Sequence, residues 1–92
     1  MNDITLTFQQ IVHACGNDRG WVIRILEENI IELDAAPEDM QYSEQHLARL
    51  RRAHRIHRDF DASAPATALI LDLLDELRTL RKTAQPPHVD DI

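Results

Sequence analysis

Three groups of residues in this chain are of types that could do chemistry. His54 and His57 stand one helical turn apart and Asp61 follows four residues later, so on a helix the three would share a face, as metal ligands do. His13 and Cys15 form a second, looser pair. Neither set has the spacing of a recognised zinc site, and His54 and His57 lie in an arginine-rich run whose field opposes a bound cation. Cys15 reads as a small buried residue at a helix end. Ser43 and Ser63 read as helix caps, and the only glycines, Gly16 and Gly20, make no phosphate loop. The sequence therefore predicts no catalytic constellation, metal or cofactor; the chain reads as a non-enzyme.

The second group is LARLRRAHRIHR, which holds Arg49, Arg51, Arg52, Arg55 and Arg58 and could contact phosphates. The third is its opposite. Residues 27–48 carry seven acids (Glu27, Glu28, Glu32, Asp34, Glu38, Asp39 and Glu44) with no Lys or Arg. The formal net charge of the chain is −6. Nucleic-acid binding rests on neutralising phosphates with basic side chains, so this balance disfavours it and favours a basic protein surface as partner. The arginines are then expected to pair with acids of the second helix and the segment after it, or to face solvent.

Several elements must position these groups. Ile4, Leu6 and Phe8 alternate with threonines as a strand-like lead-in. Thr7 and Gln10 predict a capping box opening a helix over about 8–14. Gly16, Asn17 and Asp18 end it and begin a second helix, capped by Asn17 or Asp18 and running to about Asn29, whose inner face is Trp21, Val22, Ile25, Leu26, Asn29 and Ile30 at helical spacing. Two helices joined by such a turn form a helix-turn-helix. Ile30, Ile31 and Leu33 then read as a strand, residues 35–39 as a turn around Pro37, and residues 40–42 as the returning strand of a small β-hairpin wing. Ser43 predicts the cap of a third helix over about 44–59, with Leu47, Leu50, Ala53, Ile56 and Phe60 facing inward. A long C-terminal helix follows over about 65–82.

The fold class is thus mainly α: a winged helix-turn-helix with a small β-hairpin wing and a long C-terminal helix. Residues 1–82 read as a single domain and 83–92, with Pro86–Pro87, as a flexible tail. A chain of 92 residues has a small core. The last helix is apolar on more than one side, and Ile70, Leu73, Leu77 and Leu80 follow a coiled-coil seam, which predicts a homodimer interface. A single cysteine fits a reducing cytoplasm. The start MNDITLTF has no basic region of a signal peptide, and the apolar runs are too short for a membrane span.

In order and approximate spacing, four segments resemble the chaperone modulator CbpM family, which has a MerR-like architecture. They are ITLTF, VIRILEENIIEL, YSEQHLARLRRAHRIHRDF and ALILDLLDELRTL. YSEQHLARL is shared with MerR-type DNA-binding domains; the leucines around Asp75–Glu76 are the most telling part. The resemblance implies binding to the J-domain of a CbpA-like, DnaJ-like co-chaperone. It also implies competitive masking of the surface, a basic helix, that the J-domain presents to DnaK. On this reading Glu27, Glu28, Glu32 and Asp34 form the docking edge, Ile23 is an apolar anchor among them, and Glu38 and Asp39 are rim charges. The alternative is a MerR-like dimeric transcriptional regulator binding DNA. It has the fold and the arginines in its favour, but helix two offers only Arg19 and Arg24 and the wing carries acids.

Overall fold

Thr7 opens the first helix with the predicted capping box. Its hydroxyl accepts from the Gln10 backbone N–H at 3.1 Å, and the Gln10 side chain accepts from the Thr7 N–H at 2.9 Å. The computed structural model describes residues 4–84. They fold into four helices: α1 (Phe8–Ala14), α2 (Arg19–Leu26), α3 (Glu44–Phe60) and α4 (Ala64–Ala84). Gly16 and Asn17 both take positive φ, 73° and 59°, which turns the chain sharply between α1 and α2. Asp18 then caps α2 by accepting from the Trp21 N–H at 3.0 Å. Ser43 caps α3 by accepting from the His46 N–H, and the His46 ring returns a bond to the Ser43 N–H. Ser63 caps α4, accepting from the Ala66 N–H at 3.2 Å. α4 continues through Thr83 to Ala84, past the boundary expected for a tail; residues 85–92 lie outside the described residues.

The predicted β-hairpin wing does not form: among the described residues there is no strand, only an isolated antiparallel bridge between Leu6 and Tyr42. Three features account for this. α2 ends at Leu26 and Asn29 adopts a φ of 59°, so the chain enters the loop through a left-handed turn. Ile30 and Ile31 are both buried, whereas a half-buried hairpin strand would alternate. Tyr42, the expected return strand, gives its backbone pair to Leu6 instead, with N–H···O distances of 2.7 and 2.8 Å. Residues 30–42 are therefore an ordered loop fastened at several points. Ile30, Ile31, Met40 and Tyr42 sit in the core, and the Tyr42 hydroxyl donates to the Pro37 carbonyl at 2.8 Å. Asp39 closes a turn onto Ala36 at 2.9 Å.

The core lies where α3 meets α1, and α4 meets both α2 and α3. Trp21, Ile25 and Leu26 of α2 join Leu50, Ala53 and Ile56 of α3, with Ala64, Ala68 and Leu71 of α4 closing over them. Phe60 departs from the expected inward face: it is 72% exposed. α3 stops there because Asp61 takes φ 51° and turns the chain away, and residues 58–60 lie outside the packing. Among the described residues, α4 buries side chains in the core only at its start. Its buried positions recur at Ala64, Thr67, Ala68 and Leu71, one face of the first two turns.

Candidate partner-docking surface

Helix α2 and the loop after it present the acids. Glu27 is the C-cap of α2 and is exposed; Glu28 follows and is half-buried. Carboxylates there face the negative end of the helix dipole, where cations are favoured, so they weaken the local structure slightly. Their position is thus unexplained by folding. Glu32, Asp34 and Asp39 are exposed on the loop, held out by the buried Ile30, Ile31 and Met40. Among the described residues, Glu27, Glu28, Glu32, Asp34 and Asp39 make no ion pair.

Two members of the predicted set differ from that picture. Glu38 is bound to Arg19 at 2.7 Å, so its charge is already met within the chain. Ile23 is half-buried and packed against the core rather than standing exposed among charges. The Arg19 guanidinium also lies 5.3 Å from the centre of the Phe8 ring, and with Thr7, Gln9 and Val12 these residues line a cavity of about 370 Å³ beside the acidic loop.

The arginines of α3 do not pair with acids of α2 or the loop. Arg49 is the engaged one: it meets Asp75 at 2.9 Å and Asp72 at 3.9 Å, both on α4, and its Nε donates to the Ile30 carbonyl. Arg58 meets Asp59 at 3.4 Å. Arg51, Arg52 and Arg55 make no ion pair among the described residues.

His54 and His57 are brought together, but against Trp21. His57 stacks on the indole at 5.1 Å and His54 meets it edge-on at 5.3 Å. The His57 Nδ1 is 2.7 Å from the Ala62 carbonyl and donates to it. Burial, then Arg58 and His57, push His54 below the usual imidazole value, with Asp18 pulling weakly the other way. Burial pushes the Cys15 thiol up to about 11, against a smaller pull from Arg51, which makes it a poor nucleophile. Tyr42 is raised by burial and by Glu38.

On α4 the four residues of the predicted seam are not equally exposed. Ile70 is half-buried against its own core, while Leu73, Leu77 and Leu80 are 53, 44 and 58% exposed. Leu69, 58% exposed, takes the place of Ile70. Spacings of four, four and three put Leu69, Leu73, Leu77 and Leu80 on one stripe, directed away from the Ala64–Leu71 face.

Two linked helices with a third and a long fourth helix behind them define a helix-turn-helix protein. The chain belongs to the MerR family: the sequence model described as "MerR HTH family regulatory protein" matches residues 6–85. It is 34% identical over 62 residues to the chaperone modulatory protein CbpM of Pseudomonas entomophila (strain L48), covering 66% of this chain and 61% of that protein. It is 36% identical over 61 residues to the chaperone modulatory protein CbpM of Pseudomonas putida (strain GB-1), covering 65% and 60%. The resemblance to the CbpM family read from the sequence is thus found again by direct comparison, and the chain spans about three fifths of the length of these relatives. No solved structure matches it. No helix among the described residues is long and apolar enough to cross a membrane.

Proposed function

We propose that this protein is a chaperone modulator that docks the J-domain of a CbpA-like co-chaperone through its acidic edge and masks the surface the J-domain offers to DnaK. The observation that carries this reading is the row of unpaired acids on an ordered scaffold. Glu27 and Glu28 lie at a helix end that would favour cations, and Glu32, Asp34 and Asp39 on a loop pinned by buried side chains. Fixed, unpaired acids suit a basic helix and would act mainly by steering and orienting it. The similarity to the two Pseudomonas modulators supports the same role. No chemistry is needed: occupying the J-domain is enough. Calorimetric titration with the J-domain of the host's CbpA-like protein tests this. The expected result is saturable binding near one J-domain per chain, weaker as salt rises; no binding at low or moderate salt would refute it.

The protein acts as a homodimer through the Leu69, Leu73, Leu77 and Leu80 stripe of α4. Half-exposed leucines on a helix of about 31 Å, whose buried positions among the described residues lie in the first two turns, suit a second copy of the same helix. Leu73→Glu with Leu77→Glu should convert a dimer to a monomer in sedimentation experiments while leaving the helical circular dichroism largely intact. A wild-type chain that sediments as a monomer at high concentration would contradict this.

A further inference from the structure

Along α3, Arg51, Arg55 and Arg58 recur every three or four residues and so line one side of the helix with His54 among them. Together with Ala14, at the end of α1, they surround a cavity of about 160 Å³. Gathering three guanidinium groups costs repulsion, and the fold does little to relieve it. Arg51 and Arg55 make no ion pair among the described residues, and Arg58 meets only Asp59 at 3.4 Å between two exposed side chains, a weak pair. Arg49, on the same helix, shows what relief looks like: two aspartates of α4 and a backbone carbonyl surround it.

We propose that the cavity between α1 and the Arg51–Arg58 side of α3 is a binding site for a tetrahedral dianion of the phosphate class. The space is open to solvent on one side and admits one oxyanion with part of its hydration shell. A lone carboxylate offers one charge and two oxygens to three guanidinium forks. A phosphate dianion offers two charges and enough oxygens to accept from all of them.

His54 reports on the site and can join it. Burial first, then Arg58 and His57 on its own helix, push it toward the neutral form, and Asp18 ahead of α2 draws it weakly the other way. Trp21 stands edge-on to the ring, and the Gly16 turn approaches so closely that a Cβ there would lie 3.0 Å from Nε2. A bound dianion opposes the field that Arg58 imposes, which raises the His54 midpoint and lets the ring serve as a fourth donor when protonated. This site is independent of the acidic docking edge and of the proposal made for it.

The test is an NMR titration of the full chain, comparing the His54 midpoint in chloride and in inorganic phosphate at equal ionic strength. Phosphate should raise the His54 midpoint by about half a unit or more while leaving His13 and His46 in place. Calorimetry should show saturable phosphate binding that Arg55→Gln weakens at least about fivefold, with Arg51→Gln acting alike and Arg81→Gln, on α4, without effect. Repeating the titration with glycerol 3-phosphate and O-phosphoserine separates the sources. Equal affinities point to the free ion, and tighter binding of an ester points to a phosphorylated molecule. An identical His54 midpoint in chloride and phosphate, or an unchanged shift in folded Arg55→Gln, would overturn the proposal.

Discussion

The acidic edge, residues 27–39, and the arginine run of α3, residues 49–58, are both runs of one sign, yet the fold treats them differently. The acids sit on a loop whose apolar residues, Ile30, Ile31 and Met40, are buried, and all but Glu38 are unpaired among the described residues. The arginines sit on a regular helix, and one of them, Arg49, is built into the structure through α4 and the Ile30 carbonyl. A run of like charge in a sequence therefore does not say which of its members hold the fold and which face outward. That is decided by residues far along the chain, here Asp72 and Asp75.

The contrast can be broken at its structural end first. Arg49→Gln should lower stability by about 1–3 kcal/mol in urea unfolding, because it leaves the Ile30 carbonyl and Asp75 without their donor in a half-buried place. Arg55→Gln, on the same helix, should change it by less than about 0.5 kcal/mol. Equal losses for the two would mean that Arg49 is no more integral than its neighbours. A smaller effect sharpens the acidic side. Glu38→Gln removes an exposed pair with Arg19 and should cost no more than about 0.5 kcal/mol. Its effect on J-domain affinity should be smaller than that of changes at Glu27 and Glu28, since Glu38 is already engaged.

Much of the helical frame was legible because local chemistry dictates it. Thr7–Gln10, the Asn17–Asp18 pair, Ser43 and Ser63 announce four helix starts through their caps, and all four form, with Asp18 the cap of the second. The loop was not legible. Ile30, Ile31 and Leu33 carry the β-branched character of a strand, but burial of two successive isoleucines and the left-handed Asn29 override that propensity. Phe60 looked like the end of an inward stripe because periodicity does not show where the partner surface stops. α4 posed the same difficulty: its leucines occupy several sides, and only the packing of Ala64, Thr67, Ala68 and Leu71 reveals that Leu69 rather than Ile70 joins the outward stripe. The acids of the candidate site could be read from charge alone. The engagement of Glu38, the half-burial of Ile23 and the convergence of Arg51, Arg55 and Arg58 on one cavity with Ala14 needed the folded chain.

The unpaired acids at the end of α2 carry the proposed docking, and the direct measurement is J-domain affinity of Glu27→Lys with Glu28→Lys, with thermal unfolding followed in parallel. The reversal should weaken binding at least about tenfold, near 1.4 kcal/mol. The unfolding midpoint should hold or rise slightly, because cations at a helix C-terminus are favoured. An unchanged affinity in a variant that is fully folded would contradict the assignment of this edge to the co-chaperone.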